Sequence, residues 1–403
     1  MYKINKLLTA TSSLLLPLSR RYYATILGIE TSCDDTGCAI VNGHGQILGE
    51  ALHSQTLVHL RNGGINPIIA RDLHRDSIDS IVGEALAKSQ CDISNIDGVA
   101  VTVKPGLLAS LQIGVKYAKY FSRKYKKPII PIHHMEAHAL VARMYEDIQF
   151  PFLVLLISGG HCLLAVAKDV EDFLLLGQSL DDAPGEAFDK VARRMKLRNI
   201  PEYSHLAGGR AIELAAKKAK DTHSFQLPPP LVRSRDCNFS FSGLKASIGR
   251  TIQNLEARHG VVGAQVIPQV HELCASFQLA VTEHLMHRTE RAMEFCIKKE
   301  LIPPDRKNLV ISGGVACNDF IFESLKALGN KTQFKVYRPP PPVCTDNGIM
   351  IAWNGVEKLR KGLEFTPNFD LKDIEPQCPL GVNISNQVLD ANLCVSVTRL
   401  KSL

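Results

Sequence analysis

The stretch PFLVLLISGGHCLLAVA at residues 151–167 contains the pattern that decides the fold. An apolar run at 151–157 is followed by the glycine turn 158–161 and by a second apolar run at 162–167. Short apolar runs bounded by turn residues are typical of buried strands, and a tight turn between two of them predicts a hairpin. We therefore expect two paired strands joined by a glycine-rich turn.

Related arrangements occur at two other places in the chain. Near the N-terminus, strands are predicted at 26–29, 37–41 and 46–51, and the first two enclose the acidic turn 30–35. A strand at 307–311 ends in another Ser-Gly-Gly and leads into a helix. We interpret the recurrence as a duplication of architecture rather than of sequence. Glycine turns let the backbone approach a ligand and present N–H groups to phosphate, so the pattern indicates a nucleotide between two similar lobes.

The length and composition fit a two-domain globular protein. The chain has 403 residues, of which 45% are hydrophobic and 22% charged, and this length exceeds one ordinary core. Helices are predicted at 66–89, 107–125 and 267–299, and the proline run 339–342 precedes another helix that opens at Asp346. The 11 cysteines contain no CxxC pair, which argues against a zinc ribbon or a thioredoxin-type motif.

The first 24 residues contain no Asp or Glu, are rich in Ser, Thr and Leu, and end in SRRYYA. A basic, hydroxylated segment of this kind predicts a mitochondrial transit peptide and a location in the matrix. A secretory signal is the alternative, because of the apolar run LLLPL at 14–18. No stretch reaches the ~18 apolar residues of a membrane span. Four positive charges of the segment contribute to the net charge of +7, so the overall charge says little about nucleic acid.

Two histidines lie four residues apart in PIHHMEAHALVA at 131–142. On a helix, His134 and His138 would share one face, which is how a protein presents two imidazoles to one metal ion. His133 has no histidine at that spacing. The alternative is a histidine-rich helix start with one buried and one exposed ring.

A metal site of two histidines needs a third ligand, usually an oxygen. Asp346, in CTDNG, is the best candidate, although a carboxylate there would also suit the N-cap of a helix. Two imidazoles and one carboxylate suit zinc or ferrous iron and leave coordination positions open. We therefore expect one divalent metal ion per subunit on His134, His138 and Asp346.

Seven motifs, in order along about residues 25–355, resemble those of the TsaD-type tRNA threonylcarbamoyladenosine transferases, once classed as O-sialoglycoprotein endopeptidases. They are ETSCDDT at 30–36, HHMEAH at 133–138, SGGH at 158–161, GEAFDKVAR at 185–193, FSFSGLK at 239–245, SGGVACN at 312–318 and CTDNG at 344–348. Together with the N-terminal segment, they resemble the mitochondrial branch of this family.

The resemblance implies an α/β fold of the actin, Hsp70 and sugar-kinase architecture, with two RNase-H-like lobes around a nucleotide cleft. The transit peptide would be 1–24, the first lobe 25–150 completed by 346–403, and the second lobe 151–345. The implied reaction moves a threonylcarbamoyl group from threonylcarbamoyl-AMP, made by a separate synthase, to N6 of the adenosine 3′ of the anticodon. The implied substrates are tRNAs that read codons beginning with A.

The resemblance also implies roles for residues outside the metal site. Asp35 would face the cleft and orient the amine or accept its proton, the alternative for Asp34 and Asp35 being turn stabilisation. For Asp189 the alternative to donor binding is an acid on a helix surface that pairs with Arg193. The implied donor-binding residues are Ile157, Ser158, Gly159, Gly160, His161, Asp189, Gly209, Glu213, Cys317, Asn318 and Thr345.

Two basic clusters are candidates for tRNA contact, since lysines and arginines interleaved with aromatic residues suit phosphate contact and base stacking. The alternative is an amphipathic helix with a solvated basic face and core aromatics. The first cluster is Lys116, Lys119, Arg123, Lys124, Lys126 and Lys127, with Tyr117, Tyr120, Phe121 and Tyr125 between them. The second is Arg193, Arg194, Lys196 and Arg198.

Three other classes of function compete with a metal-dependent tRNA threonylcarbamoyltransferase. A metallopeptidase would need a base such as Glu136, which lies off the histidine face, two residues from each histidine. A kinase or ATPase of the same fold would use the acidic turn and magnesium, and a chaperone-like scaffold would tolerate loss of His134. We expect a homodimer and no membrane association.

Overall fold

The computed structural model describes residues 23–363, 370–396 and 400, so the transit peptide expected at 1–24 lies almost entirely outside the described residues. The strands are β1 (Thr25–Glu30), β2 (Asp35–Asn42), β3 (Ile47–Ser54), β4 (Gly98–Lys104), β5 (Ile129–His133), β6 (Phe152–Ile157), β7 (Cys162–Ala167), β8 (Phe173–Gln178), β9 (Asn308–Ser312), β10 (Lys335–Tyr337) and β11 (Val382–Asn383). The α-helices are α1 (Thr56–Arg61), α2 (Pro67–Ser89), α3 (Leu108–Tyr125), α4 (His134–Leu140), α5 (Pro184–Arg194), α6 (Gly208–Ala216), α7 (Ser242–His259), α8 (Val270–Lys298), α9 (Asp319–Thr332), α10 (Pro341–Cys344), α11 (Gly348–Arg360) and α12 (Ser385–Asp390).

The two sheets repeat one strand order. The first sheet is β3-β2-β1-β4-β5, and the second, read from one edge, is β8-β7-β6-β9-β10 with β11 added beside β8. In each, an antiparallel hairpin (β1–β2 or β6–β7) pairs in parallel with a later strand, β4 or β9. The duplication of architecture predicted from the sequence is therefore confirmed. This is the two-lobed α/β fold of the actin and sugar-kinase class.

The strands form where the apolar runs predicted them, because both faces of the central strands are covered. Every residue of β1, β6 and β7 is buried. The helix predicted at 66–89 begins one residue later, since the side chain of Asn66 accepts the N–H groups of Ile68 and Ile69 and caps α2. Within the described ranges, no helix has the length and apolarity needed to cross a bilayer.

Helix α11 packs unusually close to the first sheet, and two glycines permit this. A Cβ on Gly28 would lie 2.3 Å from the backbone nitrogen of Ala352, and one on Gly348 would lie 2.4 Å from that of Ala39. Neither position has space for a side chain. The close approach places the segment just before α11, which contains Asp346, against the hairpin β1–β2.

The C-terminal segment is divided between the lobes, which corrects the expectation that 346–403 completes the first lobe. Helix α11 packs on β1 and β2, and the N–H of Glu375 donates to the carbonyl of Val103 in the first sheet. However, β11 pairs in parallel with β8 of the second sheet, and Ile384 and Val388 belong to the core of the second lobe. A two-residue strand has no periodicity to reveal it, so the sequence did not predict this crossing.

Candidate active site

Helix α4 follows directly from β5 and carries the histidine pair. The Nδ1 atom of His133 accepts the N–H of Met135 at 3.1 Å, so this histidine caps the helix. The rings of His134 and His138 lie on the same side, with centroids 4.7 Å apart and planes at 88°. Both rings are buried, so the alternative of one buried and one exposed ring is wrong.

Asp346 completes a three-residue cluster with these histidines. Its Oδ1 atom lies 3.0 Å from Nε2 of His138 and 3.4 Å from Nε2 of His134. One ligand atom from each of the three residues lies within 4.8 Å of the others. The N-cap alternative is wrong, because the side chain of Asn347 accepts the N–H of Met350 and α11 begins at Gly348, two residues after Asp346.

The electrostatics of this cluster fit a bound cation. Burial alone would lower the pKa of His134, but the carboxylates of Asp346 and Glu30 raise it to about 10. Burial likewise opposes ionisation of Asp346, yet the charge of His134 holds the pKa of that carboxyl well below its usual range. Burial lowers the pKa of His138, which favours a neutral ring. Two imidazole nitrogens and a carboxylate oxygen therefore converge where positive charge is stabilised, the donor set of zinc or iron.

Glu30, to which the sequence analysis gave no role, supports His134 from behind. This carboxylate at the end of β1 is 0% exposed, and its Oε2 atom lies 3.2 Å from Nδ1 of His134. Its oxygens also accept the hydroxyl of Thr102 and the N–H of Ser32, each at 2.5 Å. A carboxylate on the outer nitrogen of a ligating histidine fixes the ring and its tautomer. The signal in the sequence was an acid at the end of an apolar strand.

Asp35 lies at the other end of the acidic turn from Glu30, where β2 begins. Burial, with the charges of Asp346 and Asp34, raises the pKa of Asp35 to about 7. Its Oδ1 atom is buried and receives no hydrogen bond from the described part of the protein. A carboxylate with an open oxygen and a pKa near neutrality is suited to accept a proton.

A cavity of about 530 Å³ lies in the second lobe, and it brings together many of the predicted donor-binding residues. Phe188, Val315 and Pro341, which the sequence analysis did not single out, give it apolar walls. The predicted residues that line it are Gly159, Asp189, Gly209, Glu213, Cys317, Asn318 and Thr345.

The turn 158–161 links this cavity to the histidine pair. Gly159 lines the cavity, and the Ser158 hydroxyl accepts the N–H of His161 at 3.1 Å. Burial and the nearby charge of His134 lower the pKa of His161 to about 4, so this ring is neutral beside the pair. Ile157 and Gly160 do not line the cavity: Ile157 ends β6 in the core, and Gly160 is exposed at the turn.

Two of the predicted donor-binding residues, both carboxylates, also hold the cavity walls. Asp189 accepts the backbone N–H groups of Gly208 and Gly209 at the start of α6. Glu213 is buried, accepts the N–H of Asp319 at 3.1 Å and pairs with Arg210 at 2.6 Å. These carboxylates connect α5, α6 and α9, which fixes the shape of the cavity.

The first basic cluster lies on α3. Part of it fits the alternative interpretation, an amphipathic helix with a solvated basic face and aromatic residues in the core. Phe121 is buried in the core, whereas Tyr120 is 52% exposed. Lys126 ends the helix in a left-handed conformation, and Lys127 donates to the carbonyl of Ser94 at 2.9 Å. The exposed remainder lines an open groove formed by Lys116, Lys119, Tyr120, Arg123, Lys124 and Leu371.

The second basic cluster is largely engaged within the protein. Arg194 makes a two-point contact with the carboxylate of Glu256 at 2.9 and 2.6 Å, and Lys196 contacts the same group at 2.9 Å. Arg193 reaches across to the first lobe and donates to the carbonyl of Gly63 at 2.7 Å. The structure therefore gives Arg194 a structural partner that the sequence did not reveal.

Comparison with known proteins gives consistent matches. The family model TsaD, described as tRNA N6-adenosine threonylcarbamoyltransferase, matches residues 46–353. The mitochondrial tRNA N6-adenosine threonylcarbamoyltransferase of Mus musculus is 49% identical over 96% of this chain and 92% of that protein. The mitochondrial protein of the same name from Homo sapiens is 50% identical over 92% of this chain and 89% of its own length.

A bacterial relative and a solved structure extend the comparison. The tRNA N6-adenosine threonylcarbamoyltransferase of Wolbachia pipientis wMel is 40% identical over 85% of this chain and 97% of that protein. The solved structure of component A of the Acidaminococcus fermentans (R)-2-hydroxyglutaryl-CoA dehydratase matches 84% of this chain and 99% of that one, with 12% identity and a TM-score of 0.46.

Proposed function

Because this chain belongs to the TsaD family of tRNA N6-adenosine threonylcarbamoyltransferases, we propose that its donor is threonylcarbamoyl-AMP and its target the adenosine 3′ of the anticodon. The chain is a mitochondrial transferase, and the proposed substrates are mitochondrial tRNAs that read codons beginning with A. The observation that carries the proposal is the convergence of His134, His138 and Asp346 beside a cavity large enough for a nucleotide.

The proposed reaction is an acyl transfer onto nitrogen. The exocyclic amine of adenine attacks the carbamoyl carbon of the donor, a C–N bond forms, and the C–O bond to the phosphate breaks. AMP leaves with the electron pair of that bond, and the amine loses one proton. Asp35, with its open buried oxygen, is the proposed acceptor of this proton.

His134, His138 and Asp346 would hold one zinc or iron ion in this family of metal-dependent enzymes. When bound, such an ion supplies Lewis acidity and a template for oxygen ligands. The turn 158–161 would position the phosphate, since a backbone without side chains allows its N–H groups to approach an anion. The cavity walls between α5, α6 and α9 would orient the nucleoside and keep it from water.

A peptidase is not favoured by the surroundings of the histidine helix. Glu136, the base that a peptidase would need, is buried and pairs with Lys358 at 3.4 Å. Lys358 also contacts Glu171 of the second lobe at 2.6 Å. Glu136 therefore belongs to a structural group of ion pairs. We further propose that a separate synthase supplies the donor and that the enzyme is a homodimer.

The proposed function is tested with the variant His134→Ala and a matched control, His259→Ala, at an exposed position on α7. Purified synthase, ATP, threonine, bicarbonate and a tRNA transcript reading ANN codons are supplied, and modified adenosine is measured with bound metal. We expect His134→Ala to lose the metal and at least about 10²-fold in rate, while the control keeps both. Undiminished transfer by His134→Ala would refute the metal role, and no transfer by the wild type would refute the enzyme assignment.

A further inference from the structure

A second cavity, of about 250 Å³, lies between the two lobes and adjoins the cavity of about 530 Å³ proposed for the donor nucleotide, the donor cavity. Gly159, Asp189 and Ala207 line both cavities, so the two spaces share a wall. A transfer between two substrates needs two adjacent spaces whose contents meet at the reacting atoms. If the donor nucleotide occupies the first cavity, the interlobe cavity is positioned for the other reactant.

The walls of the interlobe cavity suit a neutral planar group. Its apolar side chains come from both lobes: Leu60 and Ile65 from the first, Leu197 and Leu206 from the second. A base that is turned out of its stack is held between aromatic or apolar side chains.

Charge is distributed unevenly around this cavity. Asp34, in the acidic turn, lies on its lining, and Asp189 lies on the wall shared with the donor cavity. Arg193 and Arg198 are exposed and donate to the carbonyls of Gly63 and Leu60 in the first lobe. A guanidinium has five N–H donors, so one bond to a carbonyl leaves donors for phosphate. The lining therefore combines two carboxylates with two exposed cations at its rim.

We propose that the interlobe cavity receives the acceptor adenine of the RNA, with Arg193 and Arg198 contacting the phosphates that flank it. The base is neutral and tolerates Asp34 and Asp189, whereas the carboxylate of the donor's threonyl group would be repelled by them. An anticodon-loop nucleotide is already unpaired, so turning it into a pocket costs less than opening a duplex. This inference rests on the proposed transferase function and names the place of its second substrate.

The test fills the cavity without changing the donor site or the metal site. Ile65 is 47% exposed, so Ile65→Trp is expected to fold, and Val262→Trp, at a position 69% exposed and outside the cavity lining, is the matched control. We expect Ile65→Trp to raise the KM for tRNA by about tenfold or more, with unchanged AMP affinity by calorimetry and unchanged metal content. The control should match the wild type.

A second variant addresses the phosphate contacts. Arg198→Gln should raise the KM for tRNA and reduce the slope of log affinity against log salt by about 0.7–0.9, the value for one lost phosphate contact. An unchanged tRNA KM in Ile65→Trp would overturn the proposal, and so would a loss of AMP or donor affinity instead, since the cavity would then belong to the donor. Absence of transfer by the wild type would refute the proposed function itself, and this inference with it.

Discussion

The two lobes share one strand order, yet their first hairpin turns have opposite chemistry. The turn of the first lobe, residues 31–34, lies between the carboxylates of Glu30 and Asp35. The corresponding turn of the second lobe, residues 158–161, is Ser-Gly-Gly-His and presents mainly backbone. Both turns contribute residues to the cavity between the lobes, and their side chains alone distinguish the acidic turn from the backbone-rich turn that we propose for the donor phosphate.

The glycine turns also differ from each other in what requires the glycine. Among the described residues, no atom would lie within 4 Å of a Cβ on Gly159 or Gly160, so this part of the protein has space for a side chain there. A Cβ on Gly313 would lie 2.3 Å from the carbonyl oxygen of Ile157, at a φ of +99°. The fold therefore requires Gly313, whereas Gly159 lines the cavity at a place where the protein itself would accommodate a side chain.

The largest expected effect is in the acidic turn, on Asp35→Asn. If Asp35 accepts the proton, the variant should lose about 10²–10⁴-fold in kcat, the usual contribution of a general base. The wild-type rate should rise with pH as this carboxyl ionises, with an apparent pKa of about 7 or below, because a bound cation would offset the charge of Asp346. The pH–rate profile of Asp35→Asn should lack this limb, and the exposed control Asp305→Asn should keep it.

The same residue makes a prediction for stability. The pKa of Asp35 is raised in the folded protein, so folding favours its protonated form, and stability falls as pH rises from 3.8 through about 7. Asn cannot ionise, so Asp35→Asn should unfold at a higher temperature than the wild type at pH 8, and the difference should shrink toward pH 5. A variant that is less stable at pH 8 would contradict the raised pKa.

A smaller effect is expected behind the metal ligands, on Glu30→Gln. The amide keeps the shape of the side chain but removes the charge that faces Nδ1 of His134. We expect metal affinity, measured by competition with a chelator, to fall by about 10–100-fold, while the exposed control Glu50→Gln has no effect. Unchanged affinity in Glu30→Gln would mean that this carboxylate only ties β1 to Thr102.

Much of this centre could be predicted because it depends on local spacing. The four-residue interval of His134 and His138 places both on one helix face, and apolar runs around glycine predicted the repeated hairpins. Asp346 could be predicted as the third ligand from its place at an expected helix start, with an N-cap as the alternative. The cap is instead Asn347, and the close packing of α11 against Gly28 brings Asp346 to the histidines.

Other roles depended on contacts between distant residues. Glu30 reaches His134 over 104 positions, and Arg194 meets Glu256 over 62. The strand Val382–Asn383 is too short for periodicity to identify. Sequence patterns identify residue types that suit a task, but the partner that occupies each side chain is determined by tertiary packing.

The comparison of the glycine turns is tested by Gly159→Ala against Gly313→Ala. Because the space beside Gly159 is open, Gly159→Ala should keep the wild-type unfolding temperature and lose about tenfold in AMP or donor affinity. Gly313→Ala should instead lower the unfolding temperature, because of its clash and its positive φ. The control Gly243→Ala, also in open space, should change neither property. Equal destabilisation by the first two variants would remove the distinction.

The smallest effects are expected on the surface, where the lobes differ once more in how they use basic residues. Lys119 and Arg123 line an open groove, so the double change to Gln should weaken tRNA binding a few-fold and reduce the salt slope by about 1.4–1.8, without altering stability. Arg194→Gln should leave that slope unchanged but cost about 1 kcal/mol of stability, because Glu256 loses its two-point partner. A normal salt slope in the α3 double variant would mean that its basic face is only solvated. A reduced slope in Arg194→Gln would show that this arginine leaves Glu256 to bind RNA.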